Sequence, residues 1–274
     1  MSKKTEEFER KIETLANTHK GERLPAILPA WLIAEGVKPG ARIIRAERIG
    51  NKDRRNKTDV IIYLEDSEPI KISVKMNTAD NFGNWYSHER FIIEFGETTF
   101  RRMTEEATEF ANDWAKTAKA LYVGVSICFG RRTGRTGLNF TNIFSSEDIA
   151  TVARGFGDGI AVANCLYISD SCAKDMDELI CRIKPITADA VNLATDGLKT
   201  ILRPVNPMTE KSNRSKNVYT RFQPFESLAS PTVITTPDEL FRLGRFVTVE
   251  PTGMTHNRVL NELETEYGII IPRK

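Results

Sequence analysis

The sequence predicts an α/β protein with a mixed central β-sheet flanked by helices. Continuous apolar runs of strand length at 121–129 and 159–168 are typical of strands that are covered on both faces. Helical spacing of apolar residues places one helix at 2–19 and another at 100–119, directly before the first of these runs. A hairpin pattern over 57–77 adds antiparallel strands, so the sheet is expected to be mixed.

The N-terminal part of the chain is predicted to be largely helical. Residues 2–19 place charges on most of the helix surface and apolar side chains on one face: Phe8, Ile12, Leu15 and Ala16. A second, short helix is expected over Leu24–Glu35, closed by Gly36. The mixed basic and apolar residues 41–49 favour a strand that leads toward the hairpin.

The predicted hairpin is the most informative stretch of the chain. Two apolar runs, Val60–Leu64 and Ile70–Met76, flank an acidic tip that contains a proline. Antiparallel pairing brings the start of the first strand beside the end of the second, and therefore Asp59 beside Lys75. Alternation along the second strand places Ser73 on the same face as Lys75. A purely structural hairpin with one polar face is the alternative at this stage.

Local signals predict the elements that follow the hairpin. Ser87 is expected to cap a helix that ends at Gly96. The apolar stripe over 100–119 has the spacing of a core-facing helix surface. The remaining predicted elements are helices at Ser145–Arg154, Lys174–Ile183, Asp189–Leu202, Pro237–Leu243 and Arg258–Tyr267, and strands at Val218–Phe222 and Phe246–Val249.

Length and composition predict an ordinary globular protein with a single domain, residues 1–274. The 274 residues are 40% hydrophobic and 28% charged, and no repeat, low-complexity segment or linker divides them. Without an apolar run of membrane-spanning length or a signal-peptide core, we expect a cytoplasmic protein with no membrane partner. The four cysteines are irregularly spaced and form no CxxC pair, which favours structural thiols over a zinc site.

Asp59, Ser73 and Lys75 suit the chemistry of phosphodiester hydrolysis. An aspartate carboxylate supplies hard oxygen ligands for Mg²⁺, and a metal-bound water becomes a nucleophile near neutral pH. A lysine beside the metal can orient that water and stabilise the charge that develops on the phosphate. Asp59 and Lys75 fit these two roles, whereas Ser73 stands where a second carboxylate is usual.

The segments KTDVII and IKISVKMN resemble the catalytic motif of the PD-(D/E)xK nucleases, and in particular of type II restriction endonucleases. The match rests on Thr58-Asp59 and Ser73-Val74-Lys75, with Thr58 in place of proline and Ser73 in place of an acid. It is similar to a variant of the family in which a non-acidic residue precedes the x-Lys.

This resemblance implies a Mg²⁺-dependent, site-specific endodeoxyribonuclease with a restriction-endonuclease-like core, a mixed five-stranded sheet flanked by helices. It implies that Asp59 is a metal ligand, Ser73 the substituted acid position and Lys75 the catalytic lysine. The catalytic core is expected at about 40–170, and DNA-recognition elements are expected in the C-terminal part, 185–274.

The motif leaves open which residue supplies a second metal-ligand carboxylate. The candidates are two upstream glutamates and two on the helix after the hairpin: Glu22, Glu47, Glu89 and Glu94. Each of them also suits a solvated or ion-paired position. A site with Asp59, the backbone carbonyl of Val74 and waters as ligands is the alternative.

Three basic runs predict a DNA-facing surface. Residues 42–57 carry seven basic and two acidic side chains, a net +5, and residues 203–221 carry five and one, a net +4. The loop Gly130–Gly137 (GRRTGRTG) has three arginines and no acid. Phosphate contacts need such clusters, and Arg, Asn and Gln can read base edges. The predicted DNA-binding residues are Arg131, Arg132, Arg135, Lys211, Asn213, Arg214, Lys216, Asn217 and Arg221.

These features predict a type II restriction endonuclease that hydrolyses double-stranded DNA with Mg²⁺, as a monomer or a homodimer. The resemblance also implies a companion DNA methyltransferase that protects host sites. The alternatives are a structure-selective repair or junction nuclease, and a non-catalytic DNA-binding protein with a decayed site. A nucleotide hydrolase is a further alternative, because GRRTGRT imitates a P-loop that is one residue short and has Arg135 in place of lysine.

Overall fold

The chain folds into two compact units. The structure, a computed structural model, describes residues 3–49, 56–77, 81–83, 85–131, 134–210 and 216–274. The first unit consists of Met1–Phe82 and Ser145–Leu198, and the second of Gly83–Phe144 and Lys199–Lys274.

Helices and strands alternate along much of the described chain. The α-helices are α1 (Lys3–Thr18), α2 (Ala30–Ala34), α3 (His88–Ala115), α4 (Asp148–Arg154), α5 (Met176–Arg182), α6 (Ala188–Thr195), α7 (Pro237–Arg242) and α8 (His256–Tyr267). The strands are β1 (Ile43–Arg48), β2 (Val60–Leu64), β3 (Ile70–Lys75), β4 (Asn81–Gly83), β5 (Val125–Gly130), β6 (Gly137–Asn139), β7 (Cys165–Ile168), β8 (Lys184–Pro185), β9 (Lys199–Pro204), β10 (Arg221–Pro224), β11 (Thr232–Val233), β12 (Gly244–Val247) and β13 (Ile269–Ile270). Short 3-10 helices cover Phe140–Asn142 and Gly159–Ala161.

The first unit contains a mixed five-stranded sheet in the order β1–β2–β3–β7–β8. The pairs β1–β2, β2–β3 and β7–β8 are antiparallel, whereas β3–β7 is parallel. The parallel pair requires a long crossover, and the chain leaves the first unit after β3 and returns before β7. The predicted class, α/β with a mixed central sheet flanked by helices, is therefore confirmed.

The hairpin that dominated the sequence pattern is formed by β2 and β3. Val60 pairs with Ile72 and Ile62 with Ile70, so the apolar faces of both strands coincide. All four of these side chains are completely buried. The turn contains Asp66 with φ = 52°, a left-handed conformation that aspartate tolerates better than most residues.

Helix α1 is fixed to the sheet by an apolar stripe and a polar stripe. Phe8, Ile12 and Ala16 are buried in the same core as the hairpin, as the helical pattern predicted. Next to them, the Asn17 amide bonds both backbone groups of Ala46, donating to its oxygen (2.9 Å) and accepting from its nitrogen (2.8 Å). The side chain thus satisfies the outer edge of β1, which would otherwise expose unpaired backbone groups.

The second unit is built around α3 and the strands β5, β9 and β6, which pair in the order β5–β9–β6. Ser87 caps α3 by accepting from the Arg90 backbone N–H, as predicted. Gly96, expected to end the helix, instead forms a non-helical kink (φ = 80°) within a helix that continues to Ala115. The strand expected from the apolar run at 121–129 forms from Val125 onward, as β5, and every residue of β5 is buried.

Several predicted elements differ from the observed ones, among them the strand expected at Val218–Phe222, which forms as β10 at Arg221–Pro224. The helix expected over Leu24–Glu35 is reduced to α2, and only part of the strand expected at 159–168 forms, as β7. The helix expected over Asp189–Leu202 ends as α6, because Asp196 adopts a left-handed conformation (φ = 53°) and stops it. The following residues then pair with β5 as β9.

Two further features of the described residues concern membrane crossing and the state of the cysteines. None of the helices found there combines the length and the apolar character that crossing a membrane requires. All four cysteines are free thiols, and Cys128 and Cys165 are buried.

Candidate catalytic site

Asp59 and Lys75 lie side by side at one end of the β2–β3 hairpin. The Lys75 Nζ is 3.4 Å from Asp59 Oδ2, and each side chain is 17% exposed. Asp59 immediately precedes β2, where its backbone N–H donates to the Ile72 oxygen (2.8 Å), and Lys75 is the last residue of β3. The two residues are therefore brought together as the pairing of the strand ends predicted.

A small hydrogen-bond network fixes the lysine. Its Nζ donates to Ser73 Oγ (3.0 Å) and to the Val74 oxygen (3.1 Å), and Asp59 Oδ2 also accepts from the Val74 N–H (2.7 Å). Ser73 is completely buried. The Ser73 hydroxyl and the Val74 carbonyl, both considered as substitutes for a metal-ligand carboxylate, thus already accept hydrogen bonds from Lys75. In this arrangement they position the lysine.

The segment before Asp59 is anchored to the first unit. The buried Lys57 donates from its backbone to the Ala161 oxygen (2.9 Å) and from Nζ to the Val152 oxygen (2.8 Å). Thr58, at the position of the family's proline, is also buried, and within the described residues its Oγ1 has no hydrogen-bond partner. These contacts place Asp59 at the start of β2 without a proline.

A carboxylate that the sequence pattern did not single out, Glu9 of α1, reaches this site. Glu9 is 1% exposed, and its Oε2 is 3.2 Å from the Arg48 Nε. Burial, and after it the negative charge of Asp59, raise the pKa of Glu9, whereas the charges of Arg48 and Lys75 lower it; together these effects place the pKa at about 7. Asp59 and Lys75 therefore lie close enough to Glu9 for their charges to act on its carboxyl group.

The position of Glu9 follows from a polar stripe along α1. Glu9, Glu13 and Asn17 recur every four residues and lie on one side of the helix. Glu13 accepts from the Arg48 backbone N–H (3.2 Å), and Asn17 holds Ala46, so the stripe follows the edge of β1. This i, i+4, i+8 spacing beside the apolar stripe marks the polar side of α1 in the sequence, but it does not show that Glu9 faces Asp59.

The glutamates proposed from sequence as metal ligands have other partners. Glu22 is largely exposed and lies 2.8 Å from the His19 Nδ1. Glu47 accepts from the Tyr63 hydroxyl (2.6 Å) and pairs with Arg45. The hydrogen bond from Tyr63, followed by that from Arg45, lowers the pKa of Glu47. Glu22 and Glu47 are thus engaged by other side chains, whereas Glu9 is the glutamate on whose pKa the charge of Asp59 acts.

The two candidates on α3 do not supply the carboxylate either. The Glu94 carboxylate is buried and accepts from the Arg90 Nε (2.7 Å) and the Tyr86 hydroxyl (2.7 Å). Glu89 is exposed in the first turn of the helix. Glu94 therefore stabilises the core of the second unit.

Asp59 and the neighbouring Glu9 are the carboxylates of this site that could hold a Mg²⁺ ion. In the described residues, no group of three or more His, Cys, Asp or Glu side chains could hold a metal. However, Mg²⁺ commonly binds through one or two carboxylates together with waters and substrate phosphate. Glu9 Oε1 is buried with no hydrogen-bond partner in the part of the chain that is described, and Asp59 Oδ1 also has none there. A buried, unsatisfied carboxylate oxygen is costly, and a cation would satisfy it.

The arginine-rich loop after β5 carries two of the predicted DNA-binding residues. Arg131 Nε and Nη2 are buried and have no hydrogen-bond partner among the residues described. The Arg135 guanidinium stacks 4.7 Å above the Trp114 ring and donates to Thr117 Oγ1 (3.2 and 3.1 Å). Arg132 lies outside the described residues. The strand β6 follows this loop, whereas a P-loop requires a helix there, so the loop lacks the strand–loop–helix order on which the nucleotide-hydrolase alternative depended.

Asn217, predicted to contact DNA, is used inside the second unit. Its Oδ1 accepts from the His88 backbone N–H (3.0 Å), and its Nδ2 donates to the Met254 oxygen (3.1 Å). Both ends of the amide are therefore engaged by the protein backbone. Bidentate reading of an adenine edge needs the same two groups, so we do not retain Asn217 as a DNA-contacting residue.

The other DNA-binding residues predicted in the second basic run, 203–221, have varied surroundings. Arg221 Nη1 is 2.7 Å from Glu262 Oε2, so its charge is already paired. Lys216 is partly exposed, and its backbone oxygen accepts from the His256 N–H (3.3 Å). Three further residues lie outside the described part of the chain: Lys211, Asn213 and Arg214.

Comparison with protein-family models, with curated proteins and with solved structures gives no match to this chain.

Proposed function

We propose that this protein is a Mg²⁺-dependent endodeoxyribonuclease of the type II restriction class, which hydrolyses double-stranded DNA at a short sequence. The observation that supports the proposal is the contact between Asp59 and Lys75, 3.4 Å apart and partly exposed at the end of a mixed five-stranded sheet. Glu9 adds the carboxylate that the short motif lacks. A mixed five-stranded sheet that contains the hairpin is also what the resemblance to the PD-(D/E)xK nucleases leads us to expect.

Each residue of the site has a defined role in the proposed reaction. Asp59 and Glu9 would hold Mg²⁺, which when bound lowers the pKa of a coordinated water and neutralises charge on the phosphate. Lys75 carries three N–H donors, and its contacts with Ser73 and the Val74 oxygen keep the ammonium beside Asp59. To orient the attacking water, or to donate to a phosphate oxygen as negative charge develops, Lys75 would use the donor that now makes the long 3.4 Å contact with Asp59.

Binding of the duplex is assigned to basic residues of the second unit. Arg131 carries two nitrogen donors without a partner among the described residues; they are buried, so the side chain would have to move for a phosphate oxygen to accept from them. Arg135 is held by Trp114, which restricts the guanidinium before DNA binds. A cognate DNA methyltransferase in the same system follows from this proposal, since an unprotected host genome would be cut.

The test of the proposal is digestion of phage DNA by the purified protein with Mg²⁺. A site-specific enzyme produces discrete fragments, and chelation of the metal abolishes them. A smear, or cutting confined to branched substrates, would favour a repair or junction nuclease. If neither Mg²⁺ nor Mn²⁺ supports any nicking, the protein is not a nuclease of this class.

A non-catalytic DNA-binding protein is the second candidate. It is favoured by Ser73 at the acid position and by the lack of a third carboxylate near Asp59 within the described residues. Lys75→Ala separates the two functions, because an active nuclease loses cleavage and keeps DNA binding. If the wild-type protein binds a duplex tightly but never cleaves it, the second candidate replaces the first.

A further inference from the structure

The second unit contains a cavity of about 540 Å³ that none of the residues of the candidate catalytic site lines. Its walls come from the C-terminal end of α3, from α7 and from β12. Three phenylalanines form an aromatic side of the cavity: Phe222, Phe241 and Phe246. Small-molecule sites in proteins occupy roughly 300–1,000 Å³, so a ligand of nucleotide size can be accommodated.

Phe241 is the aromatic ring that is available to a ligand. Phe222 and Phe246 are almost completely buried, whereas Phe241 is only partly buried. The buried Tyr122 supports them, with its ring centroid 5.2 Å from that of Phe241 and 4.8 Å from that of Phe246. The packed rings hold Phe241 in place, so a planar ligand could stack on it without rearranging the core.

The opening of the cavity is positively charged. Lys116, Arg242 and Arg245 against Asp238 give three positive charges minus one, a net +2. Lys116 is paired with Asp113, 2.8 Å away, and the Arg242 Nε donates to the Asp238 backbone oxygen (2.8 Å). Arg245 is exposed, and among the described residues its guanidinium has no hydrogen-bond or ion-pair partner.

We propose that this cavity binds one nucleotide unit, with the base on Phe241 and the phosphate at Arg245 and Lys116. An aromatic ring stacks with the π-face of any base, and a guanidinium or ammonium binds phosphate through charge-assisted hydrogen bonds. The combination of an aromatic surface with a cationic opening fits a planar anion better than a purely apolar ligand. The proposal does not depend on nuclease activity, and the unit could be a free nucleotide or a base that has left a DNA duplex.

The test with free ligands uses the four deoxynucleoside monophosphates, the corresponding nucleosides and deoxyribose 5-phosphate, with binding measured by ligand-observed NMR. We expect the monophosphates to bind more tightly than either fragment. Arg245→Gln should weaken their binding roughly tenfold, because a charge-assisted contact is lost. The matched control is Arg101→Gln, which removes an exposed arginine of α3 that does not line the cavity.

The test with DNA uses duplexes that carry 2-aminopurine at an unpaired position, whose fluorescence reports unstacking and restacking. Phe241→Leu keeps an apolar side chain but removes the ring, and it should abolish a fluorescence change that the wild-type protein produces. Binding in either test, reduced by Arg245→Gln and Phe241→Leu, supports the proposal and identifies the source of the nucleotide. Absence of binding in both tests, or binding that both variants retain, would overturn it. The Lys75→Ala variant should bind the nucleotides like the wild type, because Lys75 does not line the cavity. Nucleotide binding can therefore be confirmed or refuted whether or not the protein proves to be a nuclease.

Discussion

Glu9→Gln should stabilise the metal-free protein at about pH 8 and leave its stability nearly unchanged at about pH 5. In the folded protein, burial raises the pKa of Glu9 from 4.5 to about 7. One pKa unit corresponds to about 1.36 kcal/mol, so ionising this carboxyl group costs the folded state about 3 kcal/mol. Below the pKa that Glu9 has in the unfolded chain, its carboxyl group is protonated and its full contribution to the free energy of unfolding is present. This contribution is lost as the pH rises through about 7.

The measurement is the free energy of unfolding in urea, with a metal chelator present, for the wild type and Glu9→Gln. The matched control is Glu13→Gln, one turn further along α1, where a glutamine oxygen can still accept from the Arg48 backbone N–H. We expect a gain of up to about 3 kcal/mol at the higher pH for Glu9→Gln alone. Addition of Mg²⁺ should then stabilise the wild type more than this variant, because the variant lacks one ligand. A stability difference that is the same at both pH values, or equal stabilisation by Mg²⁺, would refute the role of Glu9.

Three other predictions concern the lysine, the internal asparagine and the buried histidines. Lys75→Ala should lower the rate of DNA cleavage by roughly 10²–10³-fold and leave DNA affinity nearly unchanged, as measured by single-turnover kinetics and by a binding assay. Asn217→Ala should lower the free energy of unfolding by roughly 1–3 kcal/mol, because two backbone groups lose their partner. Burial lowers the pKa of His88 to about 4 and that of His256 to about 3, so their contribution to stability is lost as the pH falls below 6.5. Imidazole NMR signals of both rings should therefore stay in the neutral form down to about pH 5, and protonation near pH 6.5 would contradict this assignment.

The hairpin could be predicted from the sequence because its information is local. The two apolar runs and the polar tip determine the pairing of β2 with β3, and the pairing brings Asp59 to Lys75. The same local character made the apolar face of α1 predictable.

Glu9 and Asn217 could not be assigned in this way because their roles depend on distant parts of the chain. Glu9 is fifty residues before Asp59, and only the packing of α1 along the edge of β1 brings them together. Asn217 lies in a polar, basic segment whose composition predicts DNA contact, yet His88, far away in sequence, uses its amide oxygen. Helix propensity also predicted the end of α6 wrongly. The helix stops at Asp196, which has a left-handed conformation, and residues that follow it pair with β5 as the strand β9.

Nicking of supercoiled plasmid DNA with Mg²⁺ by the wild type and by Asp59→Asn tests the proposed active site most directly. The variant keeps the size of the side chain and an oxygen that can accept from the Val74 N–H, but it lacks the charge. We expect the wild type to nick and linearise the plasmid, and the variant to be at least about 10²-fold slower while still folded. Equal rates for the two proteins, or no nicking by the wild type, would contradict the assignment of Asp59, Lys75 and Glu9 as a nuclease centre.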